Sequence, residues 1–596
     1  MTGRLIFYLL CFSSMSFVEA NTDEKIPAQR EYNPCCSMPC QHRGVCIPVS
    51  NVLYECDCAK GYFGKSCEKA TFLRWVSDQF QISHVAKQKI ALSGKLLWAI
   101  INNIPLLHDT ALRYVFLSGS RSGGMDHHIL SFVSDFTSID AFYNQSYTPR
   151  GLPPVPTECP TPLGIKGPKH LPDVEEVFEL LFKRRQFKPC PQGSNIMLAT
   201  FAEQLSHQFF SADAPARGYN GIIEDSVSHI YGSDEKTRKA LRSMENGKLK
   251  TRIIKGEEFP PYLEDAPGVN MVYPEGKHGG RSIYPKWALG HKMSSSSPFT
   301  FVLGTIWLRE HNRLCDIILK EHPDWSDERI YQTARWIVSG ELLTITAGEY
   351  FQHLAQYRLK FSYKPQLFHD NPVQTSTQLQ NEFSLMFQWH QTTPDDFSVN
   401  GQNYNMSDLR FSNNRIVFEH GLDAVVDAMC RSPAGEITYR NCGDSMKVGM
   451  KDLIKMGRNL RLHSLNDYRR FYDLKPYDSF KELVGDAEMA TVLKEIYGDI
   501  DAVEFVVGVF LEKHPRSVLP PTMVYLAGPV VLKGVMESPL GSTALWRPST
   551  FGGKTGFDIV QKATLRKLFC LNLKGNCKNN VWVSFRTPAN TSKKKF

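Results

Sequence analysis

Glu382-Phe383-Ser384-Leu385-Met386-Phe387-Gln388-Trp389-His390 sets one imidazole at the end of an apolar, aromatic, helix-compatible segment. The surrounding chain repeats that character. Glu175–Leu181, Thr300–Leu319, Glu328–Leu354, Leu422–Met429 and Lys447–Leu462 all read as helix, and runs that alternate apolar with polar residues are few. The expected fold is therefore mainly α, without internal repeats.

Two further stretches carry histidines on helix-like patterns: Phe201–Phe210 with His207, and Thr305–Arg313 with His311. Haem chemistry with peroxides needs an imidazole on the iron and a base on the opposite side to move a proton between the peroxide oxygens. Two distant histidines brought to opposite faces of a haem would provide both. Each histidine taken singly is more often a satisfied core or surface group.

At 596 residues, with 42% hydrophobic and 22% charged residues, the chain can bury a large core and is not disordered by composition. Its net charge of +8 is dispersed, apart from Lys593-Lys594-Lys595, which argues against nucleic acid as a partner. Residues 1–20 hold Arg4, an apolar run and a small-residue end, and read as a signal peptide; a membrane anchor is the alternative. No later segment is long and apolar enough to span a bilayer. Sequons at Asn144, Asn405 and Asn590 fit a lumenal route.

Seven of the 15 cysteines fall between Cys35 and Cys67, a density that marks a disulfide-held module. The spacing, with Gly61-Tyr62-Phe63-Gly64 before the last cysteine, resembles an epidermal-growth-factor-like (EGF-like) module over residues 33–69; a zinc site is the competing reading. That resemblance implies Cys35–Cys46, Cys40–Cys56 and Cys58–Cys67, and leaves Cys36 with Cys159 as a plausible partner. Residues 71–119 alternate short apolar groups, such as Leu96-Leu97-Trp98-Ala99-Ile100-Ile101, with Lys, Arg and His. They read as amphipathic pieces lying in one leaflet's interface, or as ordinary core helices. Pro149–Pro172 reads as an extended loop.

Longer motifs decide between these readings. Asn33-Pro34-Cys35-Cys36, Cys159–Gly164, Thr305–Arg313, Tyr497–Glu504 and Pro548–Gly553 occur in the order found in prostaglandin endoperoxide H synthases (cyclooxygenases) of the animal haem peroxidase superfamily, and the chain resembles that family almost end to end. The resemblance implies monotopic membrane-binding helices over 71–119, a haem-b-binding α-helical catalytic domain over 120–585, a basic tail over 586–596 and a homodimer. It also implies a Cys570–Cys577 bridge, a hydroperoxide substrate and a polyunsaturated fatty acid in a separate channel. His390 matches the proximal iron ligand and His207 the distal histidine.

Other positions depart from the family pattern. The radical-forming tyrosine is Phe387, which has no O–H to lose, and the distal glutamine is Glu203, a carboxylate that burial would protonate. The arginine that pairs with the substrate carboxylate falls on Gly119, with Arg121 in reach only through a local insertion. The glutamate beside it falls on Tyr525, the acetylated serine on Val531 and the channel valine on Phe351, while the mouth tyrosine persists as Tyr357. The tyrosine supporting the proximal histidine is Val506, a lost contact of the kind that orients metal ligands. Tyr350 and Tyr404 stand near in sequence as other radical hosts.

Three readings follow: a haem peroxidase that has lost cyclooxygenase activity, a haem-poor pseudoenzyme that serves as a dimer or binding partner, and a conventional synthase acting on arachidonate. The family's Lys-Asp-Glu-Leu-type ending is absent from Ser592–Phe596, so the endoplasmic reticulum lumen and secretion are both expected destinations.

Overall fold

The computed structural model describes residues 33–59, 61–75, 94–122, 129–132, 147–156, 159, 171–209, 227–269, 286–367, 380–410, 413–472, 474–515, 517–536, 538–578 and 580–588. The signal segment 1–20, Asn144, Asn590 and the lysines of the tail lie outside them.

The first described module folds around disulfides because so short a segment buries little apolar surface. Strands β1 (Val45–Pro48) and β2 (Tyr54–Asp57) pair antiparallel with Cys46 opposite Cys56. Cys35–Cys46, Cys40–Cys56 and Cys58–Cys67 close the module, and Cys36–Cys159 ties it to the body. Gly44 is required there, since a Cβ would sit 2.6 Å from the Cys67 sulfur.

Helices α1 (Lys95–Asn103) and α2 (Pro105–Ser122) follow. No α1 residue is buried, and Leu96 and Leu106 remain 76% and 77% exposed. α2 has two faces: Leu112 and Phe116 are fully buried, while Leu106, Leu107 and Tyr114 point outward. The expected boundary at residue 119 falls inside α2. The helix runs on to Ser122 and packs along a later helix, α9 (Pro521–Met536).

The body is helical, and the sheets among the described residues are all two-stranded hairpins. Helix α3 (Ile196–Phe209) starts at Asn195, whose side chain accepts the Leu198 N–H and donates to the Cys430 and Ser584 carbonyls. Helix α4 (Pro298–Glu321) begins with a Ser297–Thr300 capping box and Pro298 at its first position, and is buried along most of its length. Each fully buried Leu, Ile or Phe there contributes about 1.5–3 kcal/mol of transfer free energy. Helix α5 (Asp327–Ile345), capped by Ser326, packs on α4 and widens over Thr346–Tyr350 before Phe351–Ala355.

Helix α6 (Asn381–Met386) packs against α8 (Phe505–Leu511) and α9 (Pro521–Met536), and α7 (Lys447–Asn459) also packs on α8. At the far end Cys570–Cys577 closes a short loop. At the start of the expected tail, Arg586 bridges to Ser194 and the Thr587 N–H donates to the Gly193 carbonyl. These backbone bonds hold both residues to the body.

Candidate functional site

Helix α6 stops at Phe387, whose φ of −91° and ψ of 3° turn the chain away from the helix axis. The Phe387 N–H still donates to the Phe383 carbonyl, and the Trp389 indole donates to the Met386 carbonyl at 2.8 Å. This turn packs the buried Phe387 ring between Phe383, with centroids 5.3 Å apart, and Trp389, at 4.9 Å. Three residues on, His390 opens a single 3₁₀ turn.

The two nitrogens of His390 have different fates. Nδ1 lies 3.2 Å from the Gln388 carbonyl, to which it donates in the corresponding tautomer. Nε2 makes no hydrogen bond to the described residues and faces Gly449 of α7, where a Cβ would stand 2.4 Å away. Burial, aided by the charge of Arg410, lowers the imidazole pKa to about 4 and keeps the ring neutral. A neutral imidazole with one nitrogen tied to a carbonyl and the other unbonded is the form that ligates haem iron, and His390 fits that role.

Glu203 sits on α3, half-buried, and burial pushes its carboxyl up to about 7 against the opposing pull of Arg410. Arg410 thus acts electrostatically on residues from both stretches. His207 stands one turn further along α3; its side chain lies outside the described part.

The positions that the resemblance assigns to a channel lie elsewhere. Fully buried Tyr350 packs on Phe201 at 5.4 Å, Phe585 at 5.9 Å and Phe351 at 5.9 Å, and its hydroxyl has no hydrogen-bond partner among the described residues. Tyr357 meets Phe361 edge-on at 6.0 Å, and Phe361 meets Phe116 of α2 at 6.3 Å. Tyr525 and Val531 lie on α9, against which α2, the helix of Gly119, is packed. Burial, with Tyr357 next, pushes the Tyr525 phenol up to about 12. Tyr525 is thus a neutral phenol at neutral pH, and Gly119 carries no charge.

Tyr404 is separate from this group. It lies in the hairpin of Asp396–Val399 with Gln402–Asn405, its hydroxyl bonded to His420 at 2.6 Å and Glu419 at 3.1 Å. Val506 is buried on α8 against Gly457 and offers no donor. His311 is a core group, bonded to the Tyr231 hydroxyl at 2.8 Å and the Gly247 carbonyl at 2.9 Å.

Three features were not singled out from sequence: the Gln388 carbonyl, Gly449 and Arg410. Only Gly449 leaves a signal there, as a glycine inside a helical pattern where it costs about 1 kcal/mol relative to alanine.

The animal haem peroxidase family model matches residues 225–575, and an EGF-like domain matches residues 35–66. Prostaglandin G/H synthase 2 of Gallus gallus is 39% identical over 91% of this chain and 90% of the relative. Prostaglandin G/H synthase 1 of Canis lupus familiaris is 39% identical over 93% and 91%. Among solved structures, the Oryza sativa fatty acid alpha-dioxygenase shares the fold with a TM-score of 0.58 at 15% identity, covering 86% of this chain and 98% of its own. Dictyostelium discoideum peroxidase A does so at 0.54 and 16%, covering 70% and 91%. On the extent of these matches, the chain belongs to the animal haem peroxidase family, as a member of its prostaglandin G/H synthase branch.

Proposed function

We propose that this protein is a haem-b-dependent, hydroperoxide-reducing member of the family in which cyclooxygenase activity is lost. The observation that carries the proposal is the pairing of His390, neutral and with Nε2 unbonded, with Phe387, a ring packed between two aromatic neighbours and lacking a hydroxyl. Bound haem would supply the iron at which a hydroperoxide O–O bond is cleaved. His390 would hold the iron through Nε2 while the Gln388 carbonyl fixes its ring. Glu203, with a pKa of about 7, exists in both protonation states near neutrality and is suited to hand a proton between peroxide oxygens beside His207.

On the channel side the residues oppose a fatty-acid carboxylate. Gly119 brings no charge, Tyr525 stays a neutral phenol, and Phe351 adds bulk beside Tyr350. Tyr350 and Tyr404 retain hydroxyls, but neither belongs to the Phe383–Phe387–Trp389 stack beside His390.

The wider context is proposed with it: a homodimer, residence in the endoplasmic reticulum lumen or secretion, and a glycan on Asn405, which is exposed at the end of its hairpin. Attachment to one membrane leaflet would use the apolar faces of α1 and α2 together with Phe72, Leu73 and Trp75, all exposed. Among the described residues no helix is long and apolar enough to cross a membrane.

The test is a haem absorption spectrum followed by an organic hydroperoxide, with oxygen uptake on arachidonate measured in parallel. The expected result is a Soret band, turnover of the hydroperoxide and no sustained oxygen uptake. Robust uptake giving a prostaglandin endoperoxide would restore the conventional synthase reading. The replacements at Glu203 and Val506 favour the pseudoenzyme reading, and a missing Soret band would select it.

A further inference from the structure

His390 sits in a single 3₁₀ turn whose own bonds are few: the Thr392 N–H and hydroxyl both donate to the Trp389 carbonyl. The next three carbonyls are served by distant groups. Thr392 accepts from the Gly435 N–H at 2.8 Å, and Gln391 and Thr393 accept from Arg184 Nη2 at 3.3 and 2.7 Å. The same nitrogen donates to the Asn441 carbonyl at 2.7 Å, Nε donates to the Asn441 side-chain oxygen at 3.3 Å, and Nη1 pairs with Asp395 at 2.6 Å. One guanidinium therefore spans residues 391, 393 and 395 and ties them to Asn441.

The anchor is itself fixed. The Arg184 N–H donates to the Cys442 carbonyl at 2.9 Å, and fully buried Asn441 donates to the Lys188 and Glu436 carbonyls while accepting the Lys188 N–H. Close backbone approach shuts the remaining space. A Cβ on Gly443 would stand 2.7 Å from Arg184 Nη1, and one on Gly435 would stand 2.1 Å from the Gln391 carbonyl oxygen. The Arg184 side chain is 5% exposed, so parting it from these acceptors would leave buried polar groups without partners. An ammonium on a lysine stem could not reach acceptors on four residues at once.

We infer that Arg184 is a positioning residue for His390: by holding residues 391, 393 and 395 it fixes the main chain that carries the imidazole, so that Nδ1 stays on the Gln388 carbonyl. None of its bonds reaches the imidazole, so Arg184 acts through the backbone. This role rests on the haem-ligand reading of His390.

The test uses the full-length protein. With haem bound, resonance Raman spectra of the ferrous form give the iron–histidine stretching band, which reports how the imidazole is held; without haem, nitrogen NMR of labelled histidines reports which ring nitrogen carries the proton. His390 signals are identified by their loss in His390→Ala. Arg184→Met should shift and broaden the band, mix the two tautomers of His390 and weaken haem affinity about tenfold, the low end of what disturbing a ligand-orienting group costs. Arg184→Lys, which keeps the charge beside Asp395 without the fork, should shift the band the same way by less, and serves where Arg184→Met does not fold. Arg185→Met is the control, because that guanidinium donates to the Glu179 carbonyl instead, and its band should match the wild type. A band and a tautomer unchanged in both Arg184 variants would overturn the positioning role. An equal shift in Arg185→Met would overturn it too, as a general loosening of the fold. A wild-type band that is absent, or that survives His390→Ala, would sink the haem-ligand reading and Arg184's role with it, a failure visible before any change at Arg184.

Discussion

His390 and Phe387 are three residues apart and show opposite outcomes of the same local fold. At His390 the turn after α6 leaves one nitrogen bonded to a carbonyl and the other facing a glycine backbone. At Phe387 the same turn buries a ring in an aromatic stack with no polar atom on it. The contacts that shape the two positions are independent. Orientation of the imidazole uses Gln388 and Gly449, whereas Phe387 uses Phe383 and Trp389. An imidazole suited to hold iron can therefore stand beside a ring that carries no hydroxyl.

The strongest way to break this contrast is His390→Ala. It should remove the Soret band and peroxidase turnover together while leaving the thermal unfolding of the haem-free protein within a few degrees of wild type. Retained haem absorption would show that another residue holds the iron. Next is Gly449→Ala, whose methyl would enter the space Nε2 faces. Haem affinity should fall about 10–100-fold, the range seen when groups that orient a metal ligand are disturbed, measured by haem titration. The methyl would stand 2.4 Å from Nε2 and force the imidazole to move, so the haem-free protein should not gain the about 1 kcal/mol that alanine brings to an open helical position. An unchanged haem affinity would show that Nε2 does not face the iron.

A smaller effect is expected at Glu203. A carboxyl raised to about 7 binds more protons folded than unfolded, so this residue's contribution to stability falls as pH climbs from the ordinary carboxylate range to about 7. Glu203→Gln should flatten that part of the stability profile. It should also remove an ionisation near pH 7 from the rate of reaction with hydroperoxide. An unchanged pH–rate profile would take Glu203 out of the proton path.

The smallest expected change comes from Phe387→Tyr. Oxygen uptake with arachidonate should stay at background, since Gly119, Tyr525 and Phe351 still oppose the fatty acid. Activity recovered by that single replacement would show that the channel side was never lost.

Much of the fold was legible before any coordinates. Helices α4, α5 and α7 announce themselves by long 3.6-residue patterns, and the clustered cysteines mark the small module, because local periodicity and disulfide density are properties of contiguous residues. The packing of α2 along α9 and the bond that pins Thr587 to Gly193 were not legible, since they involve partners far away in sequence. His390 could be singled out from the length and order of the motifs. Gly449 and Arg410 could not, because their role depends on which atoms they face.

The sequence by itself determined the family, the helical class and the identity of each missing hydroxyl and charge, for a phenylalanine lacks an O–H in any fold. Only the tertiary structure decided what surrounds those residues. It left His390 Nε2 unbonded, raised the Glu203 carboxyl, stranded the Tyr350 hydroxyl and brought Arg184 to the carbonyls that follow His390. Those outcomes arise from desolvation and from contacts between segments hundreds of residues apart, which no local pattern encodes.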